Sequence, residues 1–245
     1  MPPPPPFSPG GLPPHHRTIR PIGFIRSCFN EKFAAPRQPG LCPDAWAELT
    51  LEPEFRSAEA LRGIEGFSHL WLLFGFHQTL DQGWHPTVRP PRLGGNSRIG
   101  VFASRSTFRP NGLGLSLVHL EAIHTHPTDG PILHLGGVDL VDGTPIYDIK
   151  PYLPYAESIP DARSGYAAGD IPRILVEISP AAAQSFAALP PRSQNVIRQA
   201  LSLDPRPTAS PSDPARIHGV HICGHNIRFS IQDSTCLITE ITAIP

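Results

Sequence analysis

Thirty-nine residues separate Asp81 from Glu121 without a single carboxylate, yet the stretch carries Arg89, Arg92, Arg98, Arg105 and Arg109 together with Gly94, Gly95, Gly112 and Gly114. In a chain of net charge −1 this is a local cationic field. Guanidinium groups bind carboxylates and phosphates through paired N–H donors, and glycines let a backbone approach a ligand closely. An anionic ligand is the expectation, set against the simpler reading in which each arginine caps a strand end and faces water. Pro36-Arg37-Gln38-Pro39-Gly40 presents a guanidinium and an amide between two prolines, whose fixed φ lowers the entropy lost on meeting a ligand. His77-Gln78 closes the most apolar run of the chain, where a polar pair belongs at a site mouth rather than in a core.

Two further segments carry chemistry. Asp139-Leu140-Val141-Asp142-Gly143-Thr144-Pro145 reads as a strand running into a turn with both carboxylates near its mouth, the alternative being Asx-turn chemistry alone. Asp148-Ile149-Lys150-Pro151-Tyr152 adds a cation and an aromatic in an extended, proline-fixed segment, which suits nucleic acid, with phosphate on Lys150 and a base on Tyr152. Several common chemistries are excluded. Gly112-Leu113-Gly114 lacks the third glycine and the helix pattern of a dinucleotide-binding turn, and phosphate-loop, nucleophile-elbow and His-Glu-x-x-His motifs are missing. His69, His77 and His85 with Asp139, Asp142 and Asp148 raise a metal site, but at strand rise about 26 Å separates the first two histidines. No metal is expected.

The elements that must position these residues are short apolar runs broken by Gly and Pro, among them Ile22–Ile25, Leu70–Phe76, Ile99–Phe102, Leu115–Val118, Ile132–Leu135 and Val138–Val141. Ser57 is expected to cap one short helix over Ala58–Leu61, stopped by Gly63. The fold class is therefore mainly β, a β-barrel core that removes edges from many short strands. Beyond Tyr155 the text turns Ala-, Ser- and Pro-rich. Ser193 opens a helix with Val196, Ile197, Ala200 and Leu201 on one face, and Asn226–Ile231 and Thr235–Ile241 pair as a hairpin. The expected organisation is a proline-rich tail over 1–17, a barrel domain over 18–160, a linker over 161–179 and a small α+β domain over 180–245.

Composition agrees with a soluble, cytoplasmic protein. No apolar run reaches the roughly 18–20 residues needed to cross a bilayer, and the N-terminus has no signal-peptide pattern. Cys28, Cys42, Cys223 and Cys236 show no C-x-x-C spacing, so reduced thiols are expected. Eighteen of twenty basic residues are arginine, a bias that discounts total arginine content and leaves only its clustering informative.

Taken together, Pro36–Gly40, Gly66-Phe67-Ser68-His69-Leu70-Trp71 running into His77-Gln78, Arg105-Ser106-Thr107-Phe108-Arg109-Pro110-Asn111, and Asp139–Pro145 with Asp148–Tyr152 resemble one family. It is the tRNA (adenine-N6)-methyltransferase family of β-barrel, S-adenosylmethionine-dependent enzymes that act on N6-threonylcarbamoyladenosine beside the anticodon. The resemblance spans residues 19–158, and more loosely the C-terminal part through Asp204-Pro205-Arg206-Pro207 and His225-Asn226-Ile227-Arg228-Phe229. It implies a cofactor site of Pro36, Arg37, Gln38, His77 and Gln78, completed by Arg105, Leu115, Asp139, Leu140, Val141 and Asp142. It also implies tRNA as partner, a homodimer, and a C-terminal domain that helps to bind tRNA, with Lys150, Tyr152 and Arg206 as contacts. Thr208–Asp213 departs from the family's basic and aromatic character, which bears on substrate affinity rather than chemistry.

The implied reaction is in-line methyl displacement by N6, in which most acceleration comes from alignment. An acceptor for the N6 proton helps, and Asp142 is the candidate, with contact to the cofactor amino group as its alternative role. Arg109 is the expected partner of the threonyl carboxylate. The competing readings are a non-catalytic RNA-binding barrel and a metal-assisted hydrolase.

Overall fold

The structure, a computed structural model, describes residues 18–94, 97–206, 213 and 216–244. The proline-rich segment 1–17, Gly95 and the Ser- and Pro-rich residues 208–212 lie outside the described residues.

Eight strands come first in the chain: β1 (Gly23–Ser27), β2 (Trp46–Leu51), β3 (His69–Gly75), β4 (Thr87–Val88), β5 (Ile99–Gly100), β6 (Leu113–His126), β7 (Gly130–Gly136) and β8 (Pro145–Pro151). Six of them close into a barrel of order β1-β2-β7-β6-β3-β8, every pair antiparallel, while β4 and β5 make a two-stranded ladder inside the arginine-rich segment. Period-two burial drives the closure. Ile25, Ala47, Leu49, Leu51, Leu70, Leu72, Val118, Leu133, Leu135 and Ile146 point inward and are buried, whereas Arg26, Glu48 and His134 on the alternate face are not. Gly23 sits where β1 meets β2, and a Cβ there would be driven into the Thr50 carbonyl oxygen.

The second unit contains β9 (Leu175–Ile178), β10 (His218–Ile222), β11 (His225–Gln232) and β12 (Thr235–Ala243) in the order β10-β11-β12-β9. A single helical turn, α1 (Pro154–Glu157), follows the barrel, and α2 (Pro180–Ala187) and α3 (Pro191–Ser202) belong to the second unit. The sheet thus begins inside the span read as linker, because β9 pairs parallel with β12 and packs Val176 and Ile178 against the core. Helix α2 was not legible in the alanine-rich text; the Ser179 hydroxyl accepts from the Ala182 N–H (3.3 Å) and caps it. Helix α3 buries Val196, Ile197, Ala200 and Leu201 as their spacing predicts, but it starts at Pro191, ahead of Ser193. The turn over Ala58–Leu61 is 3₁₀ without a Ser57 cap bond, and Val138–Val141 is a loop rather than a strand.

The two units share a seam. Phe29 bridges Ile222 across it. Arg192 donates to both carboxylate oxygens of Glu121 (2.9 and 2.6 Å) and to the Asp44 carbonyl (2.9 Å). Phe33, at the start of the Pro36 loop, stacks on His218 and Phe229 at centroid distances of 6.2 and 6.3 Å.

Candidate functional site

Antiparallel closure decides which loops meet. If β1 runs up, β2 runs down, and the same alternation sends β7 up, β6 down, β3 up and β8 down. The connections 28–45, 76–112 and 137–144 therefore all lie on one rim. Those three connections hold Pro36, Arg37, Gln38, His77, Gln78, Arg105, Asp139, Leu140, Val141 and Asp142, and Leu115 stands just below them on β6.

Contacts stitch the loops together. Arg105 Nη1 donates to Gln38 Oε1 (2.5 Å), and the Gln38 amide nitrogen donates to the Arg37 carbonyl. The Phe76 N–H donates to the Gly112 carbonyl (2.8 Å), and Gly112 takes a φ of +58° to turn the chain back into β6. His77 and Gln78 then open a 3₁₀ turn over His77–Gln82, half-buried and exposed respectively. Pro36 is buried and Leu115 is 52% exposed.

The two aspartates have different surroundings. Asp139 Oδ1 accepts from Ser116 Oγ (2.5 Å), a hydroxyl carried on the inward face of β6. Loss of hydration pushes the Asp139 carboxyl up to about 6, outweighing the Ser116 hydrogen bond and the positive charge of Arg105, which both pull it down. Asp142 instead spends Oδ1 on the Ser27 N–H (2.9 Å), while its own N–H donates to the Phe29 carbonyl (2.8 Å). It clamps the end of β1. Ser116 was not singled out from sequence, although a hydroxyl on the inward register of an apolar strand is the signal that would have found it.

The arginines are divided among tasks. Arg109 Nη1 donates to the Ser104 and Val101 carbonyls (2.7 and 3.3 Å), with its guanidinium 6.0 Å from the Phe102 ring centre, so it shapes the loop that presents Arg105. Arg92 donates to four successive carbonyls, those of Ala167 to Asp170, and ties the β4–β5 segment to the connection between the units. Arg206 forks onto Asp204 through Nε and Nη2 (2.9 and 2.7 Å). The Asp204 charge in turn acts on Arg37, which partial burial pulls down and Asp204 holds up. The second unit thereby reaches the rim.

Lys150 and Tyr152 stand apart from it. They lie at the far end of β8, where Lys150 pairs with Asp148 (2.9 Å) and Tyr152 meets Trp71 and His69 edge-on at 6.2 and 6.4 Å. A shallow cleft lined by Arg20, Phe24 and Glu52–Phe55 also lies at that far end and holds the Arg20–Glu54 ion pair. Among the described residues no three His, Cys, Asp or Glu side chains gather into a metal-binding group.

The chain is thus a six-stranded antiparallel barrel with an acid, an arginine–amide pair and apolar side chains on one rim, carrying a small α+β unit. The tRNA-methyltransferase O N-terminal domain model matches residues 24–158, and the TrmO C-terminal domain model matches residues 171–244. The tRNA (adenine(37)-N6)-methyltransferase of Escherichia coli K12 is 49% identical over 218 residues, 87% of this chain and 92% of that protein. A putative S-adenosylmethionine-dependent methyltransferase, RcsF, of Pseudomonas aeruginosa is 49% identical over 209 residues, 84% of this chain and 88% of its own. The crystal structure of TrmO from Pseudomonas aeruginosa superposes with a TM-score of 0.75 at 39% identity, covering 93% of this chain and 99% of that one. The chain belongs to the tRNA-methyltransferase O family.

Proposed function

We infer that the protein is an S-adenosylmethionine-dependent methyltransferase acting on N6 of adenosine 37 of tRNA, and that the adenosine it accepts carries an N6-threonylcarbamoyl group. The observation that carries the reading is the rim itself, where a half-buried acid bonded to Ser116 stands in the field of Arg105, and Arg105 is bonded to Gln38.

The donor set fits the cofactor. Its amino-acid carboxylate suits Arg105 and Arg37, and its adenine suits the apolar Pro36, Leu115, Leu140 and Val141 with His77 and Gln78 at the edge. When bound, S-adenosylmethionine supplies a methyl group already activated by positive sulfur. The residues of the chain then have to orient, desolvate and accept a proton. Asp139 is the favoured acceptor, because a carboxylate poised near 6 is ionised at neutral pH yet basic enough to take the N6 proton at Oδ2, the oxygen that Ser116 leaves open. Asp142, engaged by the Ser27 N–H, positions the loop. The threonyl carboxylate is a second anion for the arginine-rich loop, with Arg109 setting the loop's shape and offering its remaining N–H groups.

The same reading gives tRNA two further contacts, Arg206 beside the rim and the outer wall of Lys150 and Tyr152. It also includes a homodimer and a cytoplasmic location. Support for the dimer is the apolar flank of the rim, where Leu80, Trp84, Phe102 and Leu115 are all more than half exposed. No helix of the described residues is long and apolar enough to cross a membrane. The reaction is tested by incubating the protein with methyl-labelled S-adenosylmethionine and tRNA, then digesting to nucleosides. Label on N6 of adenosine 37 is expected. Label elsewhere, or salt-sensitive RNA binding without transfer, would overturn the reading in favour of an RNA-binding barrel.

A further inference from the structure

Two thiols, one from each unit, meet at the seam beside the rim. Cys28 follows β1 and is 2% exposed, while Cys223 is half-buried and opens the two-residue turn Cys223-Gly224 between β10 and β11, both residues having positive φ (53° and 73°). The antiparallel bridge Phe29–Ile222 is flanked by hydrogen bonds from the Asn30 N–H to the His221 carbonyl (3.4 Å) and from the Cys223 N–H to the Cys28 carbonyl (2.8 Å). That pattern makes Cys28 and Cys223 directly opposed residues, one step along the same ladder. The Cys28 N–H donates to the Trp46 carbonyl (3.1 Å), so one backbone bond joins the pair; standard bond lengths across that 2.8 Å contact keep the two Cα atoms within about 6.7 Å, inside the roughly 4.4–6.8 Å that a disulfide spans. The two thiols are close enough to influence each other's ionisation in opposite directions.

We propose that Cys28 and Cys223 are a peroxide-responsive dithiol whose oxidation joins the barrel covalently to the second unit. The roles follow from the surroundings. The neighbouring Cys28 thiol, the Ser193 hydroxyl and the charge of Arg192 favour the Cys223 thiolate, whereas burial and the neighbouring sulfur disfavour ionisation of Cys28. The Cys223 thiolate attacks one oxygen of the peroxide, the O–O bond breaks, and Cys223 becomes a sulfenic acid as hydroxide leaves and is protonated to water. The Cys28 sulfur then attacks the sulfenic sulfur, the S–O bond breaks, and the Cys28 proton departs with that oxygen as a second water. Two thiols are oxidised and one peroxide is reduced to two waters. Cys42 and Cys236 are fully buried with thiols pushed up to about 12, and they stay out of the exchange.

The bond would form on the site's own support, since Cys28 lies between Ser27 and Phe29, the two residues that Asp142 clamps. Any effect on methyl transfer rests on the functional reading above; formation of the disulfide does not. The test treats the full-length native protein with hydrogen peroxide, blocks remaining thiols and maps peptides. The expected result is one intramolecular cross-link, Cys28 to Cys223, reversed by dithiothreitol. Cys28→Ser should yield a dimedone-trapped sulfenic acid at Cys223 and no cross-link, and Cys223→Ser should leave Cys28 unmodified. Absence of the cross-link at a peroxide dose that oxidises free glutathione, or a cross-link through Cys42 or Cys236, would overturn the proposal. Because the wild-type map alone can return either result, a variant that fails to fold does not remove the test.

Discussion

Asp139 and Asp142 lie three residues apart and look alike in sequence, but one faces a hydroxyl in a poorly hydrated position and the other closes a strand end. That difference sets a pH dependence. If the ionised Asp139 takes the N6 proton, kcat/KM, which reports the free enzyme, rises with pH through about 6 and levels off above it. A pH profile of Asp139→Asn should lose that ascending limb and stay low, while Asp142→Asn should keep the limb. For stability the sign is opposite: a carboxyl with a raised folded-state value holds its proton longer when folded, so this group's contribution falls as pH rises from about 4 through about 6. Arg105→Ala removes the partner of Gln38 and, in the proposed site, a cation for the cofactor carboxylate. It should weaken S-adenosylmethionine binding by about 10- to 100-fold in a calorimetric titration, the worth of one or two charge-assisted hydrogen bonds.

Strands and loops explain why so much of this was legible. Short apolar runs punctuated by Gly and Pro report strands directly, and antiparallel closure puts every second connection on one rim, so segments that are polar after an apolar strand converge. What the text does not carry is loop conformation. Arg105 and Arg109 are equivalent in sequence, and only the folded loop sends one to Gln38 and the other to carbonyls of its own segment. Val138–Val141 has strand composition but follows Gly137 at a φ of +66°, which turns the chain off β7. Strand β9 was missed because four residues pairing in parallel with a strand some sixty positions away leave no local pattern. At this scale Gly23 is the sharpest prediction. Gly23→Ala meets backbone rather than a movable side chain, so barrel closure should lose about 1–3 kcal/mol, read as a lower urea midpoint with an unchanged slope.

Across the whole molecule, the second unit is built into the barrel. Phe33 on His218 and Phe229, Asp204 acting on Arg37, and the Arg192–Glu121 fork all tie the barrel to its sheet and helices, two of them at the loop that carries Pro36, Arg37 and Gln38. Dimerisation through the apolar flank predicts that Leu115→Glu, a charge placed on a half-exposed leucine, shifts the sedimenting species to monomer and removes the concentration dependence of the thermal midpoint. The substrate reading asks the rim to hold two anions at once, the cofactor carboxylate and the threonyl carboxylate. The decisive measurement compares kcat/KM for methyl transfer to one tRNA with and without threonylcarbamoyl on adenosine 37. Transfer confined to the modified tRNA, or favoured by at least about 100-fold as expected when a charge partner is lost, is the predicted result. Equal rates on both tRNAs would contradict it and leave plain adenosine as the substrate.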